Sequence, residues 1–423
     1  MRRTTVNQAN HDPDFTGVHD IVAVTDASPR IRWPRAMAAL LVFCLACRAF
    51  ASGMVQPDEY TLRTFNPQIQ DGIDLVYDLR LDEAEEFFQE EIIAVHPDQP
   101  IGYFFLAMVS WWRILIDMDD TTHDAEFHRR IEACIRVCDR RLDADPDNFD
   151  AILFKGGAIG FRGRLRGGRG QYLRAAADGL RSLPLLEKSR ALEPENSDIL
   201  FGQGIYNYFA EVIPREIRVV RPIMMLLPAG NRELGLEQLR EVARRGQYAR
   251  AEADYFLAQI HTLYEEDLLA ARTHLQRLHR RYAENSLFHL RLARTTAELG
   301  HWQHAVRLYR EWVDRSLEHR TGYHVHGRLE ALYYLGRYAL YENRLEEAAA
   351  SFAMVDSLGQ ATQRPRDLQY AALANLMLGM TRDLQGQREQ ALKHYDTVRR
   401  LPRLGNSHDL AREYSRQPYT RQR

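Results

Sequence analysis

The chain has 423 residues, is 45% apolar, and carries 56 basic against 58 acidic side chains for a formal net charge of −2. That balance excludes a strong field drawing the whole molecule to nucleic acid or to an acidic membrane surface, and the apolar content is that of a folded protein. Lysine occurs only at Lys155, Lys188 and Lys393, so arginine carries nearly all the positive charge, interleaved with Asp and Glu.

Residues 1–29 are polar and without pattern. Arg30, Arg32 and Arg35 then precede an apolar run over 36–47, and Ala49-Phe50-Ala51 follows Arg48. A basic region, a short apolar region and an A-x-A site predict a signal peptide ending at 51. The run is too short to span a bilayer. The polar stretch ahead of it suggests a true start downstream of Met1. Cys44-Leu45-Ala46-Cys47 loosely resembles a bacterial lipobox, so lipidation at Cys47 stands beside ordinary cleavage and beside an uncleaved anchor. The expected location is the periplasm or cell envelope, with outer-membrane association as one form of it.

Residues 70–250 read as divergent helical hairpins with insertions. His96-Pro97-Asp98, Asp145-Pro146-Asp147-Asn148 and Glu193-Pro194-Glu195-Asn196 recur at intervals of 49 and 48 residues. Proline there ends one helix and Asp or Asn caps the next. Cys134 and Cys138 share one helix face and read as two small core residues. The stretch 156–170 interleaves seven glycines with Arg162, Arg164, Arg166 and Arg169. It has no G-x4-G-K-[ST] pattern and no preceding strand, so phosphate binding is disfavoured and close helix packing is expected. The stretch 213–227 is apolar but broken by arginines and a proline. It reads as an inserted helix, or as a peripheral membrane contact.

Residues 251–402 are regular. Ala271, Ala305, Ala348 and Ala391 stand 34, 43 and 43 residues apart. Each is followed four residues later by Leu275, Tyr309, Phe352 or Tyr395, and three after that by Leu278, Trp312, Val355 or Val398. Leu335-Gly336 and Leu378-Gly379 mark the preceding helices. This frame resembles the second helix of a tetratricopeptide repeat (TPR), and four such units are expected. Phe154-Lys155-Gly156-Gly157, the Gly202-x-Gly204-x-Tyr206-x-Tyr208 segment and Gly230-Asn231-Arg232-Glu233 add a likeness to exported bacterial TPR proteins of unknown function. The resemblance implies an all-α, right-handed superhelix of helical hairpins, an α-solenoid, that binds protein and carries no catalytic residues. Beyond Pro402 the chain is polar and Arg-rich, and 403–423 is expected to be a disordered tail.

In TPR arrays the first helix of each hairpin lines a concave groove. Counted from the repeat starts, that assigns Phe256, Tyr264, Arg294, Tyr333, Arg337, Tyr341 and Met380 to a partner-binding groove, where Tyr and Arg suit interface anchors. His301-x2-His304 and His324-x-His326 lack the further ligand that would complete a known metal site. No serine-nucleophile elbow or catalytic Cys-His signature is present. The reading is therefore a non-enzymatic scaffold in the cell envelope with a protein partner, no cofactor, no metal and no nucleic acid. A membrane-associated or lipid-anchored assembly factor is the alternative, and a cryptic enzyme the least supported one.

Overall fold

The computed structural model describes residues 62–216 and 229–421. The expected signal peptide, the lipobox-like run at Cys47 and most of the 213–227 stretch lie outside the described residues. Every regular element among those residues is helical. They form two compact units, 62–289 and 290–421.

The first unit begins with α1 (Leu62–Tyr77) and α2 (Leu81–Glu86), which runs into a π-helical turn over Phe87–Ile93. There follow α3 (Pro100–Ile116), α4 (Asp124–Ala144), α5 (Phe149–Gly168), α6 (Tyr172–Leu192), α7 (Ile199–Glu216), α8 (Arg232–Arg245), α9 (Arg250–Leu263) and α10 (Leu268–Arg281). Helices α3–α4, α5–α6, α7–α8 and α9–α10 pack as hairpins. The punctuation falls between them as expected. Asn148 caps α5 by accepting the Ala151 N–H at 3.0 Å, and Asn196 accepts the Asp198 N–H at 3.0 Å just before α7. At the first mark the cap is absent: Gln99 precedes α3, whose first residue is Pro100, a position where a missing N–H costs nothing. Cys134 and Cys138 are both buried and unbridged.

This unit departs from a simple array. Helix α1 returns to the far end of the unit, where Asp74 pairs with Arg281 at 3.1 Å and accepts from the Tyr282 hydroxyl at 3.1 Å. Asn285 donates to the Tyr77 carbonyl at 2.6 Å, across 208 residues of sequence. Tyr77, Trp112, Tyr255, Tyr282 and Phe288 then meet in one aromatic core, with Trp112 edge-on to both Tyr77 (5.2 Å) and Phe288 (5.5 Å). Such pairs add to the burial of the rings themselves. The hairpin α9–α10 belongs to this core, so the compact unit reaches beyond the expected boundary at 250.

Helix α11 (Ser286–Glu298) holds the division between the units. The second unit continues with α12 (Trp302–Leu317), α13 (Val325–Tyr341), α14 (Leu345–Thr362), α15 (Pro365–Leu384) and α16 (Arg388–Arg400). Each of these from α12 onward packs on the next, and α13 also meets α15. The repeated Ala and its two large followers are buried in all four frames, the first of them in α10. The helices approach closely at Gly336: a Cβ there would lie 2.7 Å from the Phe352 ring. Gly379 meets Tyr395 in the same way in the next hairpin.

The expected disordered tail is instead ordered as far as 421. Ser407–Arg416 forms α17, which packs on α15 and α16. Tyr414 lies between Tyr395 and Tyr419 (ring centroids 6.0 and 5.2 Å), Arg388 donates to the Ser415 carbonyl, and the Tyr419 N–H donates to Asp383 at 2.8 Å. A last hairpin leaves one apolar face uncovered, and a polar-faced terminal helix covers it. Its apolar contribution is little more than Ala411 and Tyr414, too sparse to register as periodicity.

Candidate binding site

The seven residues assigned to a groove divide between the two units, and most are internal. In the first, Phe256 is buried edge-on to Phe201 at 5.4 Å, while Tyr264 is half-buried against Tyr208 and Phe209. In the second, Tyr333, Arg337 and Met380 are buried and Tyr341 is half-buried. Tyr333 lies against Phe352 and Tyr370, and the Arg337 guanidinium lies 5.3–5.9 Å from the rings of Trp302, Tyr333 and Tyr334. Arg294 is held by Glu330, with Nε to Oε1 at 2.7 Å and a second contact from Nη2, and the Tyr370 hydroxyl donates to the same carboxylate at 3.1 Å. The physical reason is packing on two sides. Each first helix contacts its own second helix and a neighbouring hairpin, so positions four apart fall on the inter-hairpin seam and not on a free face.

The Gly/Arg stretch is also internal. It is the C-terminal part of α5, and its glycines allow close contact: a Cβ at Gly157 would lie 3.1 Å from Phe104, and one at Gly163 3.2 Å from Asp178. Its arginines meet carboxylates of neighbouring helices, Asp178 among them fully buried. Arg162 clamps Asp178 (2.6 and 3.1 Å) and reaches Glu132 at 2.6 Å; Arg166 joins Asp178 at 2.5 Å; Arg169 grips Asp124 at 2.7 and 2.8 Å. Arg164 lies between the rings of Trp111 (4.7 Å) and Phe256 (4.6 Å), with Glu252 at 3.5 Å. Guanidinium suits this use because it stays charged, is weakly hydrated and stacks on aromatic faces. The stretch thus builds the fold.

Of the histidine pairs, His326 is engaged locally. His326 Nδ1 lies 2.5 Å from Asp367. No group of three or more His, Cys, Asp or Glu side chains able to hold a metal ion occurs among the described residues. No described helix is long and apolar enough to cross a membrane.

What the first unit does leave open is a cavity of about 310 Å³, lined from α1, from the loop and first turn at 247–251, and from the end of α10. Ile73, Tyr248, Ala251 and Tyr282 are buried and form its floor. Gln70, Gln247, Arg250 and Arg281 form its rim. Asp198 builds the loop: its carboxylate accepts the N–H groups of Gln247 (3.0 Å), Tyr248 (3.1 Å) and Ala249 (2.9 Å). Gly246 makes this possible, since a Cβ there would lie 2.7 Å from the Val242 carbonyl and 2.9 Å from Asp198. Burial nonetheless raises the Asp198 carboxyl above its ordinary range, and burial likewise raises the Tyr248 and Tyr282 phenols, with nearby carboxylates adding to it. The phenols therefore stay neutral and serve as walls and hydrogen-bond donors. Sequence reasoning missed this site because its three contributors lie up to two hundred residues apart.

The fold defines a class: the chain is built of TPR-type helical hairpins. No protein-family model matches the sequence, and no curated protein matches it. Among solved structures the chain is similar to the human IFIT1 dimer with PPP-AAAA, with 14% identity over 76% of this chain and 68% of that one and a TM-score of 0.37. It is similar to yeast Tom70, with 10% identity, 84% and 89% coverage and a TM-score of 0.33. It is also similar to the P58(IPK) TPR domain, with 13% identity, 84% and 97% coverage and a TM-score of 0.23.

Proposed function

We propose that the protein is a non-enzymatic scaffold of the cell envelope that binds a segment of a partner protein. The observation that carries this reading is the cavity beside Arg250. Three sequence-distant elements supply an apolar floor and a polar, solvent-facing rim, the arrangement of a recognition site with few oriented polar groups. The internal arginines support it by contrast: those of the Gly/Arg stretch and Arg294 are engaged by carboxylates of the fold. Export rests on the sequence before residue 52 alone.

The test is affinity capture with the full chain from an envelope extract, followed by titration with the purified partner. A saturable complex supports the scaffold. Turnover of a captured small molecule, or no specific partner, would sink it. Export is checked by fusing residues 1–60 to a reporter that is active only outside the cytoplasm; an inactive fusion removes the envelope location. The membrane-associated alternative predicts that the chain sediments with membranes and is released only by detergent.

A further inference from the structure

We propose that the cavity beside Arg250 receives one large apolar or aromatic side chain of the partner segment, and that carboxylates flank that side chain. This rests on the scaffold reading and deepens it. The size argument comes first. A volume of about 310 Å³ is at the small end of ligand pockets, roughly 300–1,000 Å³. It suits one bulky side chain better than a cofactor. The floor argument follows. Ile73, Ala251 and the two tyrosine rings offer an apolar seat in which an aromatic ring gains both burial and ring contacts.

The rim sets the charge. Arg250 is exposed and donates its Nε to the Gly246 carbonyl at 3.1 Å, and among the described residues no carboxylate forms an ion pair with its guanidinium. Asp198, whose carboxyl burial holds above its ordinary range with the Arg250 charge a minor offset, already accepts three backbone N–H groups. Arg281 shares Asp74 with the Tyr282 hydroxyl. Where α8 ends and leads into the rim, Arg244 and Arg245 share the single carboxylate of Glu241 (2.6 and 3.2 Å). The site thus carries an excess of guanidinium; the Gln70 amide N–H is held by Asp74 at 3.0 Å, and Gln247 can serve backbone amides of a bound segment. Guanidinium forks pair well with carboxylate. The excess is modest, because Asp74, Glu241 and Asp198 offset part of it. That favours a short acidic segment over a polyphosphate backbone, which draws on many cations at once.

The experiment is fluorescence anisotropy of the full chain with a labelled, C-terminally amidated Glu-Glu-Phe-Glu-Glu peptide, so that all ligand charge comes from side chains. Saturable binding is expected. Replacing Phe by Ala, or every Glu by Lys, should weaken it about tenfold or more. On the protein, Arg250→Glu should weaken it by a similar factor, Arg250→Lys by less, and Ala251→Met, which fills the floor, should also weaken it; circular dichroism checks that each variant is folded. The proposal is overturned if the peptide does not bind, if it binds both charge-reversed and floor-filled chains as well as the wild type, or if a 5′-phosphorylated oligoadenylate binds the site more tightly than the peptide. A natural partner that Arg250→Glu still captures would remove this site and leave the scaffold standing. Absence of any captured partner would remove both.

Discussion

The two units use the same hairpins to different ends. In residues 290–421 each helix meets mainly its neighbours along the chain, and glycine–aromatic contacts such as Gly336 with Phe352 set the spacing. In residues 62–289, α1 is tied to the end of α10 by Asp74 and Asn285, and one aromatic core joins residues more than two hundred positions apart. A nearest-neighbour array distributes its stability along the chain. A closed unit shares it, and closure also forms the cavity that an open array would not have.

The buried ion pairs differ in the same sense. Glu330 is fully buried, which by itself raises its carboxyl, yet the Arg294 charge and hydrogen bonds bring it below the ordinary range. Glu252 is equally buried, but Arg164 approaches it only at 3.5 Å from between two rings, and burial wins: its carboxyl is raised. Glu330 therefore contributes stability above the usual carboxylate range, lost as pH falls through its lowered value. Glu252 contributes below that range, and its contribution is lost as pH rises through its raised value.

The largest effects should come from the cores. Trp112→Ala and Phe352→Ala should each cost about 3–5 kcal/mol. Their reach should differ: amide exchange should rise across most of 62–289 for the first, and only in α12–α15 for the second. Equal spread in both variants would break the comparison. Glu330→Gln leaves the Arg294 charge buried without its partner and should cost about 3–5 kcal/mol at neutral pH, less in acid. Asn285→Ala removes the Tyr77 contact together with the cap that Asn285 gives the Leu287 and Phe288 N–H groups (both 3.1 Å), for about 1–3 kcal/mol in urea unfolding. Smallest is Glu252→Gln. Its ionised form is already disfavoured, so the expected cost is below about 1 kcal/mol, and a loss as large as that of Glu330→Gln would show that the two pairs are alike.

What the sequence disclosed follows from these differences. The Ala-x3-large-x2-large frame was legible because it is local and recurs, and its members Ala348, Phe352 and Val355 are buried as it required. The proline marks located the breaks for the same reason. The closure by Asp74 and Asn285 left no periodic trace, so the cavity was invisible. The partners of Arg162 and Arg169 were not legible, because Asp178 and Asp124 lie on other helices. Tyr333, Arg337 and Met380 have the residue types of an interface, and counting along one helix does not register the neighbouring hairpin that covers them.

The central claim is that the internal arginines hold the fold while Arg250 serves recognition. The most direct measurement is a pair of readings on full-length Arg250→Glu: its urea midpoint and its capture of the partner. The account predicts a stability within about 0.5 kcal/mol of the wild type, as for a surface change, together with loss of the partner. A variant that unfolds early, or one that keeps its stability and captures the partner unchanged, would contradict it.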